Sequence, residues 1–435
     1  MKQLLFFAFI CFSVVVLHAQ QTVPISLEKA LEEVQKANVQ LKISALEANA
    51  AKADYGMSSA TFLPNISISH TGITTTNPLM AFGSKLNQEV LTAADFNPDL
   101  LNDPDAIENF ATVISVQQPL FNADGFLKRK AAKSTFEAKE LQFQRTQDYM
   151  QFETEKAYMQ LQLAHKMVAV LQKADTTAKA NKKLTKDYYD QGLIQKADWL
   201  QAQVRASQVN DQLQQALSNL SNASDYLKFL MQTTIEGNLE PQTDLRPTVL
   251  ETLTIDATLD NRADVKAMRK AAEAYKANAK ADKLAFLPRL NAFGTYELYD
   301  DEVFKAGANG YTLGASLSWD IFKGSQRFSQ AKKGKINADK AQLELQSYKA
   351  KSNMELDKAK RMLAVAKSQL ASSALALEQS EEALKIRTNR FKEGLEKTTD
   401  LLMAETQLAE QQLTHCQTIY EHNYALAYFK FLTKE

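Results

Sequence analysis

Large apolar residues recur every seventh position in the C-terminal part of the chain, at Leu356, Leu363, Leu370, Leu377, Leu384 and Phe391. Ala359, Ala366, Ser373 and Ser380 follow three positions behind. A heptad seam with small residues on one side predicts long helices that approach a neighbour closely. Ala157, Ala164, Leu171 and Ala178 carry a fainter version in the first half. Elsewhere the period falls to two. Tyr311, Leu313, Ala315, Leu317, Trp319 and Ile321 alternate with Thr312, Gly314, Ser316, Ser318 and Asp320. Leu290, Ala292, Gly294, Tyr296 and Leu298 alternate with Arg289, Asn291, Phe293, Thr295 and Glu297. In the first half, Ile66 and Ile68, then Phe110, Ile114 and Val116, mark two further strands. Alternating segments of about 10 residues match a tilted membrane-spanning strand, with Tyr296, Tyr299, Tyr311 and Trp319 as candidates for an aromatic girdle. A soluble hairpin with one buried face has the same alternation.

The breakers sharpen the helical reading. Between Phe126 and Glu236 there is no proline and a single glycine, Gly192, and from Lys335 to Glu435 no proline and a single glycine, Gly394. Both residue types disfavour helix interiors, so each stretch predicts a helical hairpin. Its lone glycine marks the turn, where a left-handed residue ends the first helix.

The chain is written twice. Phe62-Leu63-Pro64 returns as Phe286-Leu287-Pro288, and Gln191-Gly192-Leu193 returns as Glu393-Gly394-Leu395. Tyr226-Leu227-Lys228-Phe229-Leu230 returns as Tyr428-Phe429-Lys430-Phe431-Leu432. The later matches lie about 202 residues apart and the first about 224, so the first half carries about 23 extra residues, around Asn77 to Asp105. With Pro78, Pro98 and Pro104, that insertion reads as a long loop. The expected organisation is a first repeat over 21–231, a linker over 232–258 and a second repeat over 259–435. Each repeat reads helix, two strands, long helix, glycine turn, helix. The long helices (Gly125 to Gln191, Ser325 to Glu393) would each run about 100 Å. The helices flanking them in the first repeat (Ser26 to Phe62, Leu193 to Met231) would be about 55 and 58 Å, so two short helices stacked end to end match one long one.

The fold class expected is therefore mainly α with a small β part: long coiled-coil hairpins plus four strands per chain. Four strands cannot close a barrel, and an open edge in lipid leaves unsatisfied backbone groups. The strands would then be contributed to an intersubunit transmembrane β-barrel, of twelve strands from three copies or eight from two.

Composition adds exclusions. Residues 1–20 read as a signal peptide: Lys2, an apolar run from Leu4 to Leu17, and Ala19 at a cleavage position. Cys11 lacks the setting of a lipoprotein site, and without the signal only Cys416 remains, which allows no internal disulfide. With 51 basic and 51 acidic residues there is no global field to hold nucleic acid. His70, His165, His415 and His422 are dispersed, with His415 and His422 one heptad apart rather than at ligand spacing. No phosphate loop, metal site, cofactor motif or catalytic constellation stands out, so an enzyme is not expected.

One pattern occurs twice: an aromatic, two residues, Gly, then Asp six later and Leu-x-Ala. It is Tyr189, Gly192, Asp198, Leu200 and Ala202 in the first copy, and Phe391, Gly394, Asp400, Leu402 and Ala404 in the second. With Phe-Leu-Pro opening a strand and Asn261-Arg262-Ala263-Asp264 opening the second half, the mature chain resembles the TolC-type outer membrane efflux family over nearly its whole length. The resemblance implies a homotrimeric twelve-stranded barrel in outer-membrane lipid, set on a helical tunnel through the periplasm. It further implies docking to a periplasmic adaptor and an inner-membrane pump, with the chain as a passive exit duct. Two acidic residues would ring the periplasmic entrance; Asp400 matches the first, and Met403 stands where the second would be. Asp198, Asp400 and Met403 are thus the entrance and gating candidates, and Gly192, Leu193, Gly394 and Leu395 the candidates for hairpin turns and adaptor docking. Asp198 and Asp400 also fit a plainer role, as first-turn acids on helix dipoles. A protein-secretion exit duct and a soluble coiled-coil scaffold are the alternative readings.

Overall fold

The structure is a computed structural model that describes residues 22–248 and 259–434. The expected signal segment and part of the linker lie outside these residues. The described chain falls into two compact units, each built from both halves of the sequence: one from within Met1–Ile43, Arg145–Leu259 and Ser352–Glu435, the other from Ser44–Gln144 and Asp260–Lys351. Among the described residues no helix is long and apolar enough to cross a membrane.

The second unit carries a four-stranded antiparallel sheet. Its strands are β2 (Asn65–Thr75), β3 (Ile107–Phe121), β5 (Arg289–Asp300) and β6 (Ala308–Ser318), in the order β2-β3-β5-β6. Register decides what each face presents. Ile68 pairs with Ile114, Ile114 with Tyr296, and Tyr296 with Tyr311, so one apolar row runs across all four strands. The row beside it, from Ser67 through Ser115 and Thr295 to Thr312, is polar throughout. Ile66, Ile68, Tyr311, Leu313 and Leu317 are exposed on the apolar face. In water such a face would be a large uncovered apolar patch. β2 and β6 are both open edges, each with a row of unpaired backbone groups.

Where the strands meet helices, Arg129 of α5 (Ala123–Asp190) donates to Tyr55 O and to the Ser58 and Ser59 hydroxyls, near the end of α2 (Val39–Met57). Asp124, buried at the start of α5, accepts from Lys128 and from Arg289 at the base of β5. Within the same unit lie α7 (Ala263–Leu284) and the first part of α8 (Gln326–Lys392).

Two details differ from the sequence reading. The insertion between β2 and β3 is not an irregular loop, because it contains α3 (Pro78–Asn87) and the short α4 (Pro98–Asn102). Its prolines start helices: Pro78 and Pro98 each follow an asparagine, Asn77 or Asn97, whose side chain caps the first turn. Proline at that position loses no hydrogen bond. The helix before β2 is also not continuous. It breaks between α1 (Leu27–Ala37) and α2 at Asn38, whose amide donates to Leu230 O while its Oδ1 accepts from Gln40 N and Leu41 N.

The first unit is helical. It holds α1, the later parts of α5 and α8, α6 (Lys196–Met231) and α9 (Thr398–Thr433). A two-stranded parallel pair, β1 (Val23–Ile25) with β4 (Leu239–Pro241), lies beside its core. Leu161, Leu227 and Leu239 are wholly buried there, with Val34 and Met231 close to it. The heptad seam of α8 appears as expected. Leu356, Ala359, Ala366 and Ser373 are buried and Leu363, Leu370, Leu377 and Leu384 half-buried, between neighbours that are mostly exposed.

Candidate functional site

The two glycine turns end α5 and α8 in the same way. Gly192 has φ +73° and its N–H donates to Tyr189 O at 2.9 Å, while Leu193 N donates to Tyr188 O at 2.9 Å. Gly394 has φ +71°, its N–H donates to Phe391 O at 3.0 Å, and Leu395 N donates to Arg390 O at 2.9 Å. This paired bonding closes the orphan carbonyls of each helix end and needs a left-handed residue between the two donors. Replacing Gly394 with alanine is expected to cost about 1–2 kcal/mol, the penalty of a Cβ in that conformation. Thermal unfolding of Gly394→Ala against Gly56→Ala, where a Cβ would meet nothing within 4 Å, measures it. Leu193 and Leu395, next in sequence, are 66% and 67% exposed. Their exposure leaves two apolar tips uncovered among the described residues.

Asp198 stands in the first turn of α6, where its Oδ2 accepts from Gln195 N at 3.2 Å and completes a capping box. Asp400 stands in the first turn of α9, which has no side-chain cap. Asp400 and Met403 line one cleft of about 470 Å³ between α8 and α9, together with Ser380, Arg387, Gln407 and Gln411. Asp198 is not among the residues of that cleft, so the structure separates the first-repeat acid from the second-repeat pair.

A clamp that the sequence reading missed holds the second turn. Glu396 lies just past Gly394 and accepts from Arg387 Nη1 and Arg390 Nε, each at 2.8 Å, with its side chain only 10% exposed. The bond from Arg390 holds its carboxyl below the usual range, with the Arg387 charge and the neighbouring Asp400 side chain adding to the shift. Arginines on one side of a glycine turn and an acid on the other are the signal that could have found it. At about 202 residues earlier, the first turn has Thr185, Tyr188 and Ile194 instead. That turn is braced by Tyr189 stacked on Trp199, ring centroids 5.5 Å apart.

The two hairpin ends also touch. Tyr188 and Phe391 lie 6.2 Å apart, centroid to centroid, and the Asn181 amide of α5 donates to Glu405 of α9. Burial raises the Glu405 carboxyl above its ordinary value.

The girdle candidates divide by face. Tyr296 and Tyr311 are paired on the apolar face, and Trp319 follows β6 at the helix end of the sheet, its indole N–H donating to Phe286 O at 2.9 Å. Tyr299 points by register to the polar face and bonds Glu297, so it cannot join a band on the apolar side. Among the described residues no three His, Cys, Asp or Glu side chains are grouped to hold a metal ion.

A family model described as outer membrane efflux protein matches residues 30–231 and 254–427. No curated protein matches the chain in sequence. Among solved structures, it is similar to a membrane protein from Pseudomonas aeruginosa, with TM-score 0.81 and 17% identity over 94% of this chain and 93% of that one. The CmeC outer membrane channel of Campylobacter jejuni gives TM-score 0.81 and 17% identity, covering 94% of this chain and 85% of that one. The open state of the MtrE outer membrane channel of Neisseria gonorrhoeae gives 0.78 and 16%, covering 94% and 88%. At these identities the likeness is one of fold.

Proposed function

This chain belongs to the outer membrane efflux protein family, and from that premise we propose that three copies close into one duct whose periplasmic entrance lies at the Gly192 and Gly394 turns. The family consists of outer-membrane channels, not enzymes, and the chain is an exit-duct subunit of the outer membrane with its helices in the periplasm. A soluble scaffold is set aside by the same membership. The sheet accounts for the incompleteness of one copy. Its β2 and β6 edges are free, and in lipid each open backbone group costs several kcal/mol. Pairing β2 of one copy with β6 of the next satisfies both edges, and a head-to-tail contact of this kind closes into a ring. Three copies supply twelve strands, apolar face to lipid and polar face to the channel. Tyr296 and Tyr311 would mark one border of the lipid band and Trp319 the other.

Conduction in this reading is passive, with the energy supplied by an inner-membrane pump and the connection made by a periplasmic adaptor. The observation that carries the entrance is the pairing, at each turn, of an exposed leucine with an acid in the helix that follows. Leu193 and Leu395 offer apolar tips to an adaptor helix, and Asp198 and Asp400 offer charge to passing ions. Met403 replaces a second acid in the cleft, so Asp400 carries the ring of charge in the second repeat alone. Replacing Asp198 and Asp400 together with alanine is expected to lower the cation preference of single channels in planar bilayers several-fold. Unaltered conductance and unaltered ion selectivity would remove these two residues from the entrance.

A further inference from the structure

The insertion between β2 and β3 folds over the polar face of the sheet. α3 and its C-cap bury one stripe, Ala81 and Ser84 with the capping Gln88, whose spacing places them on one side of the helix. From that stripe the Gln88 amide donates to Glu108 O and Asn109 Oδ1, each at 2.9 Å, and to Asp300 O at 3.2 Å. Asn109 belongs by register to the polar face, opposite Ile73, and is buried. The burial along β2 shows the same cover. Ile73 and Thr75 are half-buried, whereas Gly72 and Thr74, which face the other way, are exposed. The insertion is a folded body of its own. Lys85 pairs with Asp95 at 2.7 Å, Asp95 also accepts from Thr92 N at 2.7 Å, and Phe82 packs edge-on against Phe96.

We propose that residues 76–106 form a lid on the channel side of the barrel's external mouth, pinned by Gln88, that narrows the exit to bulky solutes. This rests on the reading of the four strands as one third of an outer-membrane barrel. In that reading the helices are periplasmic, and the β2–β3 connection, at the opposite ends of the strands, faces the exterior. Size supports the lid. A closed ring of twelve strands spaced about 4.8 Å and tilted about 40° is roughly 24 Å across between backbones. Three helices, each about 10 Å wide with side chains, packed in mutual contact need a circle of roughly 22 Å. Three copies of α3 leaning inward therefore occupy most of the mouth. Gln88 is a positioning residue: its NH2 group spans three oxygens from two strands, and among the described residues no side chain within α3 itself is hydrogen-bonded to β5.

The test places a cysteine at Ser316, an exposed position on the polar face, in a Cys416→Ser background. Intact cells are treated with a membrane-impermeant polyethylene-glycol maleimide, and labelling is timed on the heat-modifiable outer-membrane oligomer. Asp301→Cys, in the exposed β5–β6 turn, is the companion site. The lid requires rapid labelling at 301 and slow labelling at 316. A short glycine-serine turn in place of residues 78–104 should speed labelling at 316 alone. Gln88→Glu keeps the shape but turns the donor toward three oxygens as an acceptor. A buried carboxylate facing three acceptor oxygens loses all of these bonds and is left without donors, which should speed labelling about tenfold or more. If the shortened chain fails to reach the outer membrane, Gln88→Glu decides alone. Equal labelling at 316 with and without these changes overturns the lid while leaving the barrel intact. No labelling at 301 overturns the barrel topology, and the lid with it.

Discussion

Leu313→Lys is expected to abolish assembly in the outer membrane, while Thr312→Lys, one residue away, assembles near the normal level. Leu313 lies midway along β6 (Ala308–Ser318) on the apolar face, opposite Gly294, and is 75% exposed. Its δ-carbon sits 2.8 Å from where a Cβ of residue 294 would be, so the leucine leans over a strand that leaves it room. A lysine at the middle of a lipid-facing strand costs about 2–4 kcal/mol. Three copies in one ring bring the total to roughly 6–12 kcal/mol, against a typical domain stability of about 5–15. Thr312 pairs with Thr295 on the polar face, where a lysine would stand in the wet lumen at little cost. Leu317→Lys, nearer the helix end of the strand, should fall between the two because the penalty declines toward the interface. The readout is the fraction of each variant recovered in outer membranes as a heat-modifiable oligomer. Equal recovery of the 312 and 313 variants would show that this face does not meet lipid.

The same alternation explains what was legible in the sequence. A period of two survives folding unchanged, since register only slides it, so the two faces of the sheet could be written down before any strand was paired. Long helices were legible for a different reason. Glycine and proline act locally, and their absence left α5 and α8 ending at Asp190 and Lys392, close to the lone glycines. What escaped depends on partners distant in the chain. Asn38 breaks α1 from α2 by bonding Leu230, about 192 residues away, and nothing near Asn38 announces that bond. The insertion departs from a loop because an asparagine followed by proline suits both a turn and a capped helix, and Asn77 and Asn97 take the second use. In the candidate site, the chain reversals follow from the two glycines alone. The division of Asp198 from Asp400 and Met403 needed the helices to be folded back beside each other, whereas the Glu396 clamp needed only the Gly394 turn to be closed.

Breaking the clamp is expected to loosen one hairpin tip and leave its counterpart in the first repeat unaffected. Glu396 is gripped by two guanidinium groups one turn apart on α8, a geometry that arginine's fixed fork supports and lysine's single ammonium does not. The grip ties the residue beyond Gly394 to the last turn before it, so the reversal cannot open without separating charges. Among the described residues no ion pair crosses the first turn, where Tyr189 stacks on Trp199, a contact without charge. Glu396→Ala should therefore speed amide hydrogen exchange around Leu395 and Asp400, with the segment around Leu193 unchanged. If the second tip lines the entrance, single-channel conductance should rise with it, by about threefold or more for a local release near 0.7 kcal/mol or above. Arg390→Glu should act in the same direction, and adding Glu396→Arg to it should restore slow exchange in part, because the pair is remade in reverse. Coupling of that kind separates an ion pair from the mere loss of two side chains. High salt provides the control, since an ion pair at a surface weakens as screening rises and the Tyr189–Trp199 contact does not. Slow exchange in Glu396→Ala, with conductance at its original level, would mean that Gly394 and its backbone bonds hold the tip without the clamp.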